Sequence, residues 1–207
     1  MPDNYPLKPF RIASTDTLCA IIRQYPLATL FSGAAGQALI TLIPLLVDHK
    51  ASGEIVLSGH LDRNNAHADA IEPGAPISFQ FLGPDAYASP DLYPDPQLPG
   101  WLYVSVQGDG EVAGVVEGEE LRSLLVESTQ AFGGPGQRFD LDARDERVGR
   151  FLPGIKGFRI KATRLSGIAK LAQDKGEEDS LIAMKFLKAQ TNASSEDLFA
   201  RLLRETL

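Results

Sequence analysis

Two short segments of the sequence carry most of the side chains that could bind a ligand. The first runs from Gly59 to Asn65 and brings a histidine, an arginine and two asparagines to the point where a predicted strand ends and a predicted helix begins. Helix N-termini and guanidinium groups both bind phosphate, so Arg63 and its neighbours could form a phosphate site. The same polar residues could instead cap the helix, with Arg63 in solvent. The sequence alone does not choose between these two interpretations.

The second segment covers residues 156–175, where six basic residues occur with a single acid, Asp174. This balance contrasts with the net charge of -7 for the whole chain and predicts an anion-facing strip. A strand face whose cations balance acidic neighbours explains the same count. The basic residues of the strip are Lys156, Arg159, Lys161, Arg164, Lys170 and Lys175.

Aromatic side chains are the third candidate feature. Trp101 follows a proline-rich stretch that contains Tyr87 and Tyr93. Flat aromatic rings beside a phosphate site suit a planar ligand such as a flavin, which needs an apolar slot for its ring and cations at its tail. The alternative is that these rings belong to the core.

Composition and motif searches disfavour several other functions. An acidic chain with a pI near 5.0 is not expected to coat DNA nonspecifically. The sequence contains neither a G-x-S-x-G elbow nor a phosphate-binding P-loop, and its three histidines lack metal-ligand spacing. The single cysteine, Cys19, is expected to be buried and inert. Without a recognisable signal peptide or an apolar stretch of membrane-spanning length, we expect a soluble, cytoplasmic protein.

The elements that must position these residues are mostly strands joined by turns. We therefore predict a mainly β protein with added helices (α+β), built on an antiparallel sheet. The predicted strands are 27–31, 38–47, 55–61, 77–82, 101–106, 111–116 and a segment around 158–162. The predicted helices lie between Ser14 and Pro26, within 62–71, after Glu117, and at 177–189 and 195–206. Five prolines within 84–99 predict an irregular loop, and 133–147 a solvent-exposed connection.

One motif is open to two structural interpretations. Residues 108–113 fit the G-x-G-x-x-A dinucleotide pattern, but that pattern requires a following helix, whereas Val115 and Val116 indicate a strand. We therefore predict a hairpin turn at Gln107–Gly110 instead of a nucleotide loop.

Read in order, these pieces resemble the PaiB-like family of FMN-binding split-barrel proteins. The resemblance extends over nearly the whole chain in the same order, which makes it more specific than any single motif. The segments that carry it are 25–30, 43–46, 59–65, 81–90, 154–158 and 170–175, with Glu178 and Asp179 beyond them.

The resemblance implies a single FMN-binding split-barrel domain over 1–207, with C-terminal helices (about 177–207) packed outside the barrel. It also implies a homodimer with FMN at the subunit interface. For such a site we assign Arg63 and Lys170 to the phosphate by their charge and Thr29 and Asn65 to polar contacts. His60 is the candidate for moving protons, since only histidine has an unperturbed pKa close to neutrality. Either Trp101 or Tyr87 would contact the ring edge.

Two functions are compatible with this resemblance. Members of the family are described as negative transcriptional regulators, although direct DNA binding is not favoured for this chain. The alternative is an FMN-dependent oxidoreductase, of the flavin reductase or pyridoxamine phosphate oxidase type, using a nicotinamide donor. The chain departs from the family pattern at Ala66, Leu92, Leu102 and Ile168, which leaves open a third possibility, a dimeric protein with weak or lost FMN binding.

Overall fold

A computed structural model describes residues 6–34, 37–95, 97–134 and 136–190 of the chain. Within these residues there are five α-helices and three short 3-10 turns. No described helix combines the length and the apolar character needed to cross a membrane. The helices are α1 (Thr15–Gln24), α2 (His67–Ala70), α3 (Gly118–Phe132), α4 (Glu146–Phe151) and α5 (Glu177–Gln190).

Eight strands form one sheet whose hydrogen-bonded order is β3-β2-β6-β7-β8-β5-β4, with β1 paired to β8. The antiparallel α+β class predicted from the sequence is therefore confirmed. The strands are β1 (Arg11–Ile12), β2 (Leu27–Ala34), β3 (Gln37–Pro44), β4 (Leu46–His49), β5 (Ile55–Asp62), β6 (Pro76–Ala88), β7 (Gly100–Val116) and β8 (Ile155–Lys170).

The chain divides into two compact units, each described separately below. The central unit comprises Pro26–Phe81 and Gly108–Arg164. The terminal unit comprises Met1–Tyr25, Leu82–Gln107 and Leu165–Leu207, as far as these are described. Strands β6, β7 and β8 contribute residues to both units. The prediction of a single domain over 1–207 stays a prediction.

In the central unit, the two strands at the ends of the sheet order are consecutive in the chain. A single residue, Leu45, connects β3 to β4, and its amide donates to the carbonyl of Pro26 at 2.9 Å. Gly59 on β5 lies so close to this connection that an added Cβ would be 3.1 Å from the Pro44 carbonyl oxygen. Buried side chains alternate along the strands and form the core. They include Leu30, Leu57, Phe79, Phe81, Phe158 and Ile160.

Helix α3 covers one face of this unit. Its buried residues Leu121, Leu124, Leu125 and Ser128 recur at the helical spacing that the sequence shows. The three leucines pack with Val148 of α4 in a second apolar cluster. The sequence prediction of a helix beginning after Glu117 is therefore confirmed, and 133–145 contain no regular structure among the described residues.

The terminal unit is built around α1 and α5. Ser14 caps α1 by accepting a hydrogen bond from the Thr17 amide at 3.2 Å, and Cys19 on this helix is fully buried. Helix α5 buries Ala183, Met184 and Leu187. The predicted helix at 195–206 lies outside the described residues.

The predicted hairpin at Gln107–Gly110 is wrong, because β7 continues through it as a single strand of 17 residues. The glycines serve close packing here. A Cβ on Gly108 would overlap the Arg164 carbonyl oxygen and lie 2.6 Å from the Phe79 ring. A Cβ on Gly110 would lie 2.5 Å from the Lys161 carbonyl oxygen. A glycine pattern that predicts a turn can thus also occur in a strand that another backbone approaches closely.

Two other boundaries differ from the sequence prediction. Residues 84–88 belong to β6 and not to an irregular loop, and Pro84 and Ala88 in this part of the strand are buried. The predicted helix within 62–71 is limited to the four residues of α2, and the residues before it form turns. Arg63 thus precedes the helix by a turn, whereas Asn65 lies beside its N-terminus and accepts from the amide of His67, the first residue of α2.

Candidate functional site

A pocket of about 200 Å³ in the terminal unit contains two of the predicted site residues, Trp101 and Lys170. We call it the Trp101 pocket. Its apolar wall includes Tyr93 and Leu102, and Lys175 provides a second cation. The ammonium of Lys175 lies 4.9 Å from the centroid of the Tyr93 ring, a cation–π geometry. Aromatic surface and positive charge therefore meet in this pocket.

The two lysines are held by a tightly bonded turn at the end of β8. The Gln173 side chain accepts from the Leu171 amide at 2.7 Å and donates to the Ala169 carbonyl at 2.5 Å. Ala172 has a φ of 62°, in the left-handed region that only a minority of non-glycine residues adopt. The Lys175 amide then donates to the Ala172 carbonyl at 3.0 Å. The turn brings the chain back so that Lys170 and Lys175 line the same pocket.

The Trp101 ring is oriented by a neighbour on β6. Its indole N–H donates to Asp85 Oδ1 at 3.0 Å. The Tyr87 ring lies beside it, with the centroids 6.2 Å apart and the planes tilted by 56°. Half of the Trp101 side chain and half of Tyr87 are exposed. The predicted ring contacts Tyr87 and Trp101 are therefore adjacent to each other and open to solvent.

The remaining predicted residues, Thr29, His60, Arg63 and Asn65, belong to the central unit. The turn after β5 is capped by Asp62, whose Oδ1 accepts from the amide of Asn64 at 2.7 Å. Arg63 is exposed, and its guanidinium lies 3.4 Å from a carboxylate oxygen of Glu117. Asp62 thus caps a turn, and helix capping, the second interpretation of this segment, is correct for Asn65, which accepts from the first amide of α2. Arg63 is exposed as that interpretation expects, with an acidic neighbour.

Asn65 is fixed by two residues that the sequence did not point to. Its Oδ1 accepts from the Thr41 hydroxyl at 3.1 Å and from the His67 amide at 2.9 Å. The Thr41 oxygen also lies 2.6 Å from His67 Nδ1, and the other ring nitrogen of this fully buried histidine has no hydrogen-bond partner among the described residues. These contacts hold the carbonyl of Asn65 inward, which leaves its NH₂ group as the part available to a ligand.

Thr29 lies on the opposite face of the β2–β3 pair. It is the register partner of Leu42, so these two side chains share a face, whereas Thr41 points to the other side. The face of Thr29 is apolar and open to solvent, with Ile40 65% and Leu42 66% exposed and Leu27 also exposed. Thr29 and Asn65 of one chain therefore cannot contact the same face of one planar ligand.

His60 lines a larger cavity of about 640 Å³ between β5 and helices α3 and α4, which we call the central cavity. The edge of the imidazole meets the Phe151 ring, with centroids 6.2 Å apart and planes at 87°. Burial lowers the pKa of His60 below its usual value, so the ring is neutral at physiological pH.

The basic strip at 156–175 divides into two parts. Four of its six cations form ion pairs with carboxylates: Lys156 with Glu72, Arg159 with Glu120, Lys161 with Glu54 and Arg164 with Asp109. The other two, Lys170 and Lys175, have no ion pair among the described residues. The balanced strand face predicted as the alternative is therefore correct for the first part, and the sequence did not single out Lys175 or Tyr93 as partners of Lys170.

Comparison of the fold with solved structures gives several matches. The chain resembles the FAD and heme binding protein from Mycobacterium smegmatis, with a TM-score of 0.59 and 18% identity over 84% of this chain and 79% of that one. The flavocytochrome Anf3 from Azotobacter vinelandii matches with a TM-score of 0.57 and 15% identity, over 83% and 75% of the two chains. A conserved hypothetical protein from Mycobacterium tuberculosis matches with a TM-score of 0.56 and 20% identity, over 81% and 91%.

These matches define the class: the chain has the split-barrel-like fold of flavin-binding proteins. Among curated proteins, no sequence matches the chain. The family described as "Putative FMN-binding domain" matches residues 4–164, and the chain belongs to this family.

Proposed function

We propose that the protein is an FMN-dependent oxidoreductase and that its flavin binds at the Trp101 pocket. In this proposal Lys170, together with Lys175, binds the phosphate, and the ring of the flavin packs against Trp101 and Tyr87. The bound flavin would carry the redox chemistry, and the side chains of the pocket would bind and orient it.

One observation carries this proposal. In a strip where the other basic side chains are paired with carboxylates, Lys170 and Lys175 have no such partner among the described residues and line one pocket with Trp101. A cation without a carboxylate partner is available to an anion, and a phosphate bound to such a group makes a charge-assisted hydrogen bond. The donor set therefore fits the tail of FMN.

The size of the pocket supports the predicted homodimer. Ligand sites usually enclose about 300–1,000 Å³, and the Trp101 pocket has about 200 Å³. It can take the phosphate end of FMN but leaves the ring on the exposed surface of Trp101. We propose that a second copy of the chain covers this surface. The apolar face of Leu27, Ile40 and Leu42 favours self-association, because monomeric proteins rarely expose a patch of such residues.

Of the other predicted site residues, Thr29, Arg63 and Asn65 remain proposed flavin contacts, whereas His60, predicted to move protons, lines the separate central cavity. Asn65 has the strongest geometric support, since Thr41 and His67 fix its amide. Arg63 has the weakest, because Glu117 already competes for its guanidinium.

The test is FMN titration followed by quenching of flavin fluorescence. Replacing Lys170 by Ala should weaken FMN binding by about tenfold or more, because a hydrogen bond to a charged group contributes about 1.5–3 kcal/mol. The matched control is Lys161→Ala, which removes a lysine of the same strand that is paired with Glu54. Equal affinities of the two variants would contradict the proposed phosphate site.

The redox activity has a separate test. Purified protein reconstituted with FMN should lose its flavin absorbance when NADPH is added without oxygen. A colourless protein that ignores added FMN would contradict flavin binding altogether. A Soret band in the purified protein would instead indicate haem, which the description of the mycobacterial neighbour names, and would contradict flavin as the sole cofactor.

PaiB-type transcriptional regulation is the function that we place second. Direct DNA binding needs an unpaired cationic face, whereas Lys156, Arg159 and Lys161 are engaged by carboxylates. Gel retardation at low salt provides the check. We expect no retardation of a random DNA fragment, and retardation that falls steeply with salt would restore this function.

A further inference from the structure

The central cavity is distinct from the Trp101 pocket and has a different chemistry. Its 640 Å³ fall in the range of small-molecule sites. Three phenylalanines supply most of its aromatic surface: Phe132 from α3, Phe139 from the following connection and Phe151 from α4. The lining is therefore suited to a flat apolar molecule.

The polar groups of the lining are mostly occupied. The hydroxyls of Ser128 and Thr129 donate to the carbonyls of Leu124 and Leu125, at 2.7 and 2.9 Å. The NH₂ group of Gln137 donates to two backbone carbonyls, at 3.2 and 2.8 Å. These groups offer a ligand no free hydrogen within the described contacts, because each already bonds to the backbone.

The single cation of the lining is also engaged. Arg147 forms a bidentate ion pair with Asp145, with nitrogen–oxygen distances of 3.0 and 2.6 Å. The Arg147 guanidinium correspondingly lowers the pKa of Asp145 to about 2. The Asp145 carboxylate neutralises this cation, and an anionic ligand that approaches Arg147 also meets Asp145, so the cavity favours an uncharged ligand over a phosphate or a carboxylate.

His60 is the remaining polar group. Its ring makes an aromatic contact with Phe151, and no hydrogen bond to its nitrogens occurs among the described residues. The half-buried imidazole therefore has a ring N–H that is available to donate to a ligand. One hydrogen-bonding group in an apolar, aromatic cavity matches a ligand with one accessible carbonyl.

We propose that the central cavity binds an uncharged, planar aromatic carbonyl compound of the quinone type, with its carbonyl oxygen accepting a hydrogen bond from His60. This ligand is separate from FMN, whose doubly charged phosphate has no free cation in the cavity. The site does not depend on flavin binding at the Trp101 pocket and can be tested without it.

The experiment measures binding of naphthoquinone to the full chain by isothermal titration calorimetry, with naphthoquinone sulfonate as the anionic comparison. Naphthoquinone should bind at least about tenfold more tightly than the sulfonate, because the cavity would bury the sulfonate charge while Arg147 is already paired with Asp145. Equal or reversed affinities, or no binding of naphthoquinone, would overturn the proposal.

Two variants locate the site. Thr129→Phe fills the cavity from α3 and should abolish naphthoquinone binding, whereas the control Gln130→Phe changes the next, exposed residue of the same helix and should leave binding unchanged.

If Thr129→Phe fails to fold, His60→Phe keeps a ring of similar size. It should weaken naphthoquinone about fivefold, as expected for one lost hydrogen bond, and leave naphthalene unaffected.

FMN binding separates the failure of this inference from the failure of the proposed function. We expect Thr129→Phe to bind FMN as the parent does, and naphthoquinone not to displace FMN. If naphthoquinone competes with FMN, or if Thr129→Phe abolishes FMN binding, the cavity holds the flavin ring and the quinone assignment is wrong. If His60→Phe weakens naphthalene and naphthoquinone equally, the imidazole does not select the carbonyl and the proposed hydrogen bond is wrong.

Discussion

The two parts of strand β8 both carry basic side chains, but their electrostatics differ. From Ile155 to Arg164, each basic side chain faces a carboxylate supplied by another segment of the central unit. In the terminal unit, the strand ends at Lys170, which lines a pocket with Lys175 and Trp101. Counting basic residues along the chain does not show which of the two parts could bind a ligand. The structure shows that pairing, and not the number of cations, distinguishes a ligand site from a balanced surface.

This difference has a simple physical basis. The ion pairs of the first part are largely exposed, so each contributes little to stability, about 0–1 kcal/mol. Their carboxylates nevertheless cancel the local positive potential, because the opposite charges are within a few ångströms, well inside the screening length of about 8 Å. A phosphate that approaches Lys161 meets Glu54 as well. A phosphate that approaches Lys170 meets another lysine in the same pocket, although Asp174 also contributes to its lining.

Charge reversal should give the largest effect. Lys170→Glu should weaken FMN binding by about 100-fold, because it replaces an attraction by a repulsion at contact distance. Lys161→Glu places the same charge change in the paired part of the strand and should alter the affinity by less than about threefold. Fluorescence titration at low and high salt measures both. Similar losses in the two variants would erase the proposed distinction between the two parts of β8.

The aromatic side of the pocket should contribute less. Trp101→Ala removes the ring against which we propose that the flavin packs, and we expect about a tenfold loss of FMN affinity, since an aromatic pair contributes about 0.5–1.5 kcal/mol beyond its buried area. Asp85→Asn leaves the ring in place and weakens only the bond that orients it. The Asp85→Asn variant should therefore retain most of the FMN affinity. If Trp101→Ala binds FMN normally, the ring lies elsewhere.

The ion pairs of the first part should be visible in the pH dependence of stability. Hydrogen bonds from Lys50 and Lys161 lower the pKa of Glu54 from 4.5 to about 2. The ionised Glu54 carboxylate therefore makes its full contribution to the free energy of unfolding above pH 4.5, and this contribution is lost as the pH falls towards 2. Thermal unfolding of Glu54→Gln and the parent should differ by less than about 3 °C above this window and converge below it.

The control for this measurement is Glu111→Gln, which removes an exposed carboxylate with no ion pair among the described residues. The difference between this variant and the parent should not change across the same pH range. A Glu54→Gln difference that grows as the pH falls would show that the pair does not stabilise the folded state.

The smallest effect is expected at Ala172, whose φ of 62° costs an L-residue about 1 kcal/mol. Ala172→Gly removes this strain but adds about 0.5–1 kcal/mol of backbone entropy to the unfolded chain, so stability should be unchanged or slightly higher. Ala20→Gly, inside α1, has no strain to relieve and should lose about 1 kcal/mol. Urea unfolding compares the two. Equal losses would show that the turn beside Lys170 is not strained.

Much of the fold followed from the sequence because its elements have strong local signals. Helix α1 lies between Ser14 and Pro26 as predicted, and the leucines of α3 recur at the helical period. Two of the failures, at Gln107–Gly110 and at residues 84–88, involve a glycine or a proline whose environment is nonlocal. The pattern around Gly108 predicts a turn, whereas the close approach of Phe79 and Arg164 explains the glycine. A local sequence pattern carries no information about where a distant strand will pack.

The candidate site was less predictable for the same reason. Trp101 and Lys170 were both selected from the sequence, and the structure brings them into one pocket. The resemblance also selected Asn65, but nothing local pointed to Thr41, which is 24 residues away in the chain and bonds to it. The pairing of Arg159 and Arg164 with acids from other segments is equally nonlocal. Candidate side chains can be selected from a sequence by their type, but the residues they bond to can be identified only from the three-dimensional structure.

The glycines of β7 affect how a mutational scan of this protein should be interpreted. Alanine at Gly108 would collide with a neighbouring backbone oxygen and an aromatic ring, and overpacking of this kind costs about 1–3 kcal/mol. Such a variant would lose activity because it unfolds. Since Gly108 also belongs to a segment that fits a nucleotide-binding motif, a mutational scan would wrongly assign this loss to nucleotide binding. A measurement of the amount of soluble, folded protein would show that the cause is steric.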